Sequence, residues 1–292
     1  MRPAHFAAFL ARLGHQVVET ESGLWYDANQ RFLLGIPTHD LRTPSDVELR
    51  DLWRQRMLGA RYTTPLSAPG RLSYQIVCDD PAFSLDALSA NTRSKIRRGL
   101  KRCEVRLAKP QEVQEQGTEA NRDTLARQDR AGLLDGKRWD AFWSAVASTP
   151  DMEVWSAWLD EKLAAFLVTA AFEDSVEFLF ARSRDDCLSS YPNNALLFAV
   201  TEEMLVRRKM REITFGIESL EPVGPLDQFK FSMGFRTKPL RQRVVFHPLL
   251  ATALRSGLIR AAFRRWAGVE RGAGGVFWRK AAGLVRFAEE AG

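Results

Sequence analysis

The chain contains only three cysteines and four histidines in 292 residues, and their spacing removes several classes of protein at once. Cys78, Cys103 and Cys187 are odd in number and far apart, which argues against a disulfide framework and for a reducing compartment. His5, His15, His39 and His247 are widely separated, and none keeps metal-ligand spacing with a cysteine, so the sequence predicts no metal site. No uninterrupted apolar run approaches the roughly 18 residues of a membrane-spanning helix. The start, MRPAHFAAFLARLG, has a short apolar core broken by Arg12 and no small-residue cleavage site. It reads as a helix of the fold rather than a leader. A G-x-S-x-G elbow, a Walker A loop, internal repeats and low-complexity tracts are all missing.

What is present is an ordinary globular composition with an uneven charge. The apolar fraction is 45% and the charged fraction 27%, and the length suits one large domain or two small ones. From Arg236 to Gly292 there are 12 Lys+Arg against 3 Asp+Glu, whereas the rest of the chain carries 30 against 33. A second cluster, RSKIRRGLKR (Arg93 to Arg102), has six cations and no acid. Such clusters suit phosphate, nucleic acid or a lipid headgroup, although a solvated helix face has the same composition. Trp266, Phe277 and Trp278 lie among arginines, so the tail either rests on a membrane surface or packs with its basic face in water. RGAGGVFWRK (271–280) is glycine-rich but follows a helical stretch, which argues against a dinucleotide loop.

Periodicity orders the elements. HQVVET, GLWYD and RFLLGI read as short strands, and SDVELRDLWRQRM as a helix with Ser45 and Glu48 at capping-box spacing. RLSYQIVCD is a strand, followed by a basic helix from Leu85 to Arg102. From Cys103 the order is β-α-α-β-β-β-α-β-α-β. QEVQEQGTEANRDTLARQDRA is a long polar helix, and KRWDAFWSAV a second helix with Trp139, Phe142, Trp143 and Val146 on one face. MEVWSAW, LAAFLVTAA and SVEFLFA are strands joined by short hairpins. A helix from about Pro192 to Lys209 precedes the strand REITFGI, which should run parallel to SVEFLFA. A ligand belongs where the strand pattern changes direction, at the mouth of the helix near Pro192.

Around that mouth SSYPNNALLF supplies Ser190, Asn193 and Asn194 at exposed backbone N–H groups, suited either to a pyrophosphate or to plain capping. Arg182 and Arg184 end the preceding strand. In PLDQFKFSMGF, Lys230 stands about 100° around the helix from each neighbouring phenylalanine. Either the aromatics and Met233 pack under a sheet while Lys230 reaches solvent, or Lys230 faces a cleft and an anion. Asp227, three residues earlier, is a partner for it.

The order from Cys103 resembles the GNAT N-acyltransferase fold, and three segments look like its FemAB-like branch. SANTRSKIRRGLKRCEVRL is similar to that family's basic helix and first strand, YPNNALLFAVTEEMLVRRKMREITFGIES to its central helix and next strand, and GPLDQFKFSMGF to its closing Phe-Lys stretch. The resemblance implies an α+β fold with a mixed, mostly antiparallel sheet and flanking helices at 85–247. A smaller N-terminal α/β lobe, a reduced GNAT-like half, would occupy 1–84 and a basic helical tail 248–292.

The resemblance further implies direct acyl transfer from an acyl-CoA, or secondly an aminoacyl-tRNA, to an amine on a small molecule or peptide. Backbone groups at Leu179, Phe180 and Ala181 would hold the donor and polarise its carbonyl. Arg182, Asn193 and Asn194 would take its phosphates. Lys230 would face developing negative charge, Glu218 would deprotonate the amine, and Arg93, Arg97 and Tyr191 would bind substrate or anion. Two features depart from many relatives: RSRDDCLSSYPNN has no glycine, and the Phe229–Phe235 stretch has no tyrosine. The competing expectation is a non-catalytic scaffold that binds nucleic acid or a membrane through its basic segments. The expected location is cytoplasmic, with peripheral membrane contact through 250–292.

Overall fold

Short β-branched stretches near the start build the first strands. After α1 (Pro3–Arg12), β1 (Val17–Thr20), β2 (Gly23–Asn29) and β3 (Phe32–Ile36) pair antiparallel. α2 (Asp46–Arg54) then returns the chain to β4 (Gly59–Thr64), which runs parallel to β3, as a parallel pair requires a crossover. Ser45 caps α2 by accepting the N–H of Glu48 at 3.2 Å. β4 is a strand that periodicity did not announce: GARYTT has no apolar run, yet all six positions are buried. This computed structural model describes residues 1–292 apart from 30, 129–133, 221–223, 255, 257–260, 262–271 and 290–292. Much of the basic tail therefore lies outside the described residues.

The chain divides into two units, neither continuous in sequence. The flanking unit comprises Leu10–Gln75, Ile217–Pro222 and Lys238–Gly292. Its strand order is β1-β2-β3-β4-β11, where β11 (Arg236–Phe246) pairs antiparallel with β4. Val18, Trp25, Leu33, Leu49, Leu52, Met57, Ala60 and Tyr62 form one core. After α9 (Pro248–Leu254), α10 (Gly272–Glu289) supplies Leu284 and Phe287 to a second core with Phe32, Leu220 and Val244. The glycines of RGAGGVFWRK from Gly272 onward are thus helical rather than a ligand loop.

The central unit comprises Met1–Phe9, Ile76–Gly216 and Val223–Thr237. β6 (Glu104–Leu107), β7 (Met152–Leu159), β8 (Lys162–Phe172) and β9 (Ser175–Ser183) are successively antiparallel, and β10 (Glu212–Ile217) is parallel to β9. Leu163 to Ala170 of β8 are buried at every position, which means both of its faces are covered. On one side stand α4 (Pro110–Gln116), α5 (Thr118–Arg127) and α6 (Gly136–Ala147). The expected polar helix breaks at Gly117 into the first two. In α6, Trp139, Phe142, Trp143 and Val146 are all buried, and both indoles meet Phe166 of β8 at 6.2 and 5.5 Å between ring centres. α7 (Pro192–Glu202) crosses between β9 and β10 and continues through a π-helical turn to Arg207.

β5 (Arg71–Cys78), β10 and β11 each begin in one unit and end in the other. Both units share one path: three antiparallel strands, a helix, and a strand parallel to the third.

The basic helix α3 (Ala90–Arg102) lies against the start of α7. A Cβ on Gly99 would stand 2.6 Å from the Tyr191 carbonyl oxygen and 3.0 Å from the Ala195 Cβ, so only glycine allows this approach. Gly99→Ala is expected to lose about 1–3 kcal/mol of stability in urea unfolding, because backbone rather than a flexible side chain must yield.

Candidate functional site

The parallel pair at the centre of this unit is short. Glu212 pairs with Ser175, Ile213 with Val176 and Thr214 with Glu177, and there the register ends. The first residues beyond it are Phe178 and Phe215, whose rings meet edge-to-face at 5.3 Å between centres. The two rings form a cross-strand aromatic pair on one face and mark, like the tip of a wedge, the point where the pairing ends. Phe235 closes the cluster 4.8 Å from Phe215.

On the other edge of β9 the pairing with β8 also slips. Phe178 faces Thr169 and Phe180 faces Val168, which leaves Leu179 as an extra residue. Such a bulge turns one peptide out of the ladder. Leu179 and Phe180 are half-buried and Ala181 is exposed. The three residues expected to hold an acyl donor therefore follow the last position paired with β10, on a strand bulged at Leu179 on its β8 side.

Lys230 stands beside the same wedge. It lies in α8 (Gly224–Ser232), with its ammonium 5.1 Å from the Phe215 ring centre and 2.9 Å from the Asp227 carboxylate. Its side chain is only 12% exposed, whereas neighbouring Phe231 is 39% exposed. The lysine is tucked in and one phenylalanine faces out, the reverse of the simple amphipathic reading. Gly234, at φ +90°, ends α8 in a conformation that suits glycine. A Cβ there would meet Leu88 and Phe83 at 3.0 Å.

α7 begins without a side-chain cap. Tyr191 occupies the capping position in the left-handed region at φ 57°, a strained choice for a tyrosine. Asn193 donates to the Ser183 hydroxyl at 2.8 Å, and Asn194 contacts the Met233 sulfur at 3.4 Å. The first N–H groups of α7 keep the character of an anion site. The Arg98 guanidinium stacks over Tyr191 at 4.8 Å, and Arg102 donates to the Ser189 carbonyl at 3.4 Å.

The loop before α7 is a 3₁₀ turn, Asp185–Ser190. Its acids neutralise the nearby cations: Asp185 pairs with Arg127, and Asp186 with Lys162 and Arg184. The hydrogen bond from Arg184, then that from Lys162, holds Asp186 well below the usual carboxylate range. Arg182 donates to Asn121 at 3.1 Å. Arg93 braces the turn before α3 through the Leu88 carbonyl at 2.7 Å. Arg97 is exposed, with no partner among the described residues.

Glu218 follows β10 and belongs to the flanking unit. It accepts from Arg71 at 2.5 Å and from Ser73 at 2.7 Å, both on Oε2, leaving Oε1 without a partner among the described residues. No group of metal-ligating side chains occurs among the described residues.

In the flanking unit β3 and β4 likewise part after three parallel pairs, the last Leu34 with Arg61. Here Arg42 occupies the interior. It is 5% exposed, donates to the Leu24 carbonyl at 2.9 Å and the Pro37 carbonyl at 3.3 Å, and takes its own N–H to Thr63 at 2.9 Å. Its guanidinium stands 2.8 Å from where a Cβ on Gly35 would be. The wedge phenylalanines, the extra residue at 179 and Arg42 escaped the sequence reading. A bulky aromatic immediately after a short parallel run is the signal that points to the first.

Residues 88–230, just under half of the chain, match the family described as an acetyltransferase (GNAT) domain. The C-terminal domain of a putative lysylphosphatidylglycerol synthetase from Agrobacterium fabrum is similar at 14% identity and a TM-score of 0.56, over 87% of this chain and 91% of that one. FemX aligns at 12% identity and 0.57, over 86% and 92%. L-PGS from Bacillus licheniformis aligns at 12% and 0.55, over 82% and 87%. No curated protein sequence matches the chain. These likenesses establish the fold.

All three thiols are free and buried. Burial pushes the Cys78 thiol up to about 11 and raises Cys103 and Cys187, the latter further through its Asp186 neighbour. A raised thiol stays protonated at pH 8 and is a poor nucleophile. Intact-mass measurement after iodoacetamide treatment at pH 8 should show no adduct on the native protein and three after denaturation.

Proposed function

We propose that the central unit transfers an acyl group from a thioester donor, acyl-CoA in the first instance, to the amine of a small molecule or peptide without a covalent enzyme intermediate. The observation that carries this reading is the opening beyond Glu177 and Thr214, lined by the unpaired edge of β9. In the flanking unit the corresponding stretch is accompanied by the buried Arg42, bonded to the Leu24 and Pro37 carbonyls. In the reaction the amine nitrogen attacks the acyl carbon, the carbon–sulfur bond breaks, and the thiol leaves with the proton lost by the amine. Backbone groups at Leu179, Phe180 and Ala181 would polarise the carbonyl. Lys230 would stabilise the oxyanion from the wall formed with Phe215. The start of α7 at Asn193 and Asn194, with Arg182, would receive the donor's phosphates. Glu218, through its open Oε1, would accept the proton.

A specific observation favours aminoacyl-tRNA as the second donor. Most exposed arginines around the opening are matched by acids, whereas α3 has six cations and no acid, packed against the α7 start. A phosphodiester chain needs such a one-signed track. Arg97 and Arg93 on α3 and Tyr191 beside it would line that track. Under either donor, the basic segment 250–292 is the candidate contact for an anionic membrane surface. No helix among the described residues is long and apolar enough to cross a membrane.

Binding of acetyl-CoA, longer acyl-CoAs and aminoacyl-tRNA to the full chain should be followed by calorimetry and by transfer to a panel of amines. Ala181→Trp is expected to abolish donor binding with the fold intact. Lys230→Met should lower kcat/KM about 10- to 100-fold while leaving donor affinity within a few-fold. Donor binding that survives Ala181→Trp unchanged would remove the opening between β9 and β10 from the mechanism.

A further inference from the structure

The C-terminal end of α7 carries two local irregularities, and both fall on one cleft. From Glu203 to Arg207 the helix widens into a π turn, closed by a 2.9 Å bond from the Arg208 N–H to the Glu203 carbonyl. Lys209 then turns the chain in the left-handed region at φ 58°, a place usually held by glycine. The Met210 N–H returns to the Met204 carbonyl at 2.9 Å, and the Arg211 N–H reaches the Asp174 carbonyl at 2.7 Å. A π turn is rare and, like a left-handed residue other than glycine, is found disproportionately at functional sites.

The cleft encloses about 430 Å³, a size that suits a small molecule. Pro81, Leu205, Val206 and Met210 give it apolar walls, and Asp79, Lys209 and Arg211 supply its charges. Leu205 is buried, whereas Val206 is 37% exposed. The charges are not equivalent. Asp79 accepts a two-bond fork from Arg236, and Arg211 donates a fork to Asp174. Arg207 and Arg208, just before Lys209, pair with Glu202, Glu203 and Glu153. Lys209 is exposed and has no partner among the described residues. The cleft thus offers apolar surface to cover and a single free ammonium to neutralise. Its complement is one negative charge on an apolar body.

We propose that this cleft binds a small aliphatic monocarboxylate, its carboxylate on Lys209 and its chain along Leu205, Val206 and Met210. The site lies wholly within the central unit. It precedes the start of β10 at Glu212, whereas the proposed donor opening follows Thr214. It stands or falls independently of acyl transfer.

Calorimetric titration of the full-length chain with octanoate tests the site, with octanol and acetate reporting the chain and the charge alone. Octanoate should bind saturably, and octanol and acetate each at least about tenfold more weakly. Lys209→Gly removes the ammonium at a backbone position that favours glycine, so the fold is kept. Its affinity for octanoate should fall about five- to tenfold. Val206→Trp fills the cleft and should abolish binding. No saturable octanoate binding, octanol or acetate binding as tightly as octanoate, or an unchanged affinity in either variant overturns the site. Should a variant misfold, labelling of the wild-type protein with N-hydroxysuccinimide acetate decides. Octanoate should slow modification of Lys209 but not of Lys101, which is exposed on α3. Equal labelling of Lys209 with and without octanoate also overturns it.

Discussion

The proposed site in the central unit depends on where the β9–β10 pairing ends, a point marked by two rings. Phe178 and Phe215 are the first residues after the three paired positions of β9 and β10, and edge-to-face packing holds them 5.3 Å apart. Beyond Glu177 and Thr214 no further pair forms, and the two strands part. Everything proposed for the donor follows from that divergence. The free edge of β9 carries the extra residue at 179, the turn after β9 delivers the N-terminus of α7, and Lys230 rests on the outer wedge ring. Aromatic packing of this kind contributes stability as well as shape.

The distribution of arginine separates scaffold from function. Arg106, Arg127, Arg184, Arg208, Arg211 and Arg236 in the central unit each meet a carboxylate. Exposed pairs of this sort contribute little to stability, typically 0–1 kcal/mol; their effect is to keep the surface field close to neutral. Against that background α3 differs in kind. Lys95, Arg97 and Lys101 have no partner among the described residues, and Arg98 and Arg102 are engaged by a ring and neutral oxygen atoms. Potentials from unpaired charges reach about 8–10 Å at physiological salt. The field near the α7 start is thus set mainly by α3.

Elements with strong periodicity were legible in the residues. The runs of β7, β8 and β9, the four-residue apolar face of α6 and the parallel return of β10 all follow from spacing. β4 was not, because its burial is satisfied by polar chemistry: Arg61, Thr63 and Thr64 face inward among Gln242, the Asp40 carbonyl and the Glu218 carbonyl. A period-2 apolar test cannot register such a strand. The orientation of Lys230 was legible only as two alternatives. Helical geometry places it about 100° from each phenylalanine, but Asp227 and the Phe215 ring decide that the ammonium lies inside. The bulge at Leu179 left no compositional trace, since it depends on how many residues β8 offers opposite β9.

Similar chain paths in the two units have been put to different physical uses. After three parallel pairs both partings expose backbone groups that need partners. In the flanking unit Arg42 donates to carbonyls of β2 and of the segment after β3, takes its own N–H to Thr63 of β4, and covers Trp25 at 5.3 Å. That arrangement adds a buried cation whose pKa burial lowers. The edge of β9 beyond Glu177 is left to solvent or to a ligand, a cost that a purely structural sheet has no reason to carry. An edge kept unpaired, next to a helix start kept uncapped, is therefore better explained by a bound donor than by stability.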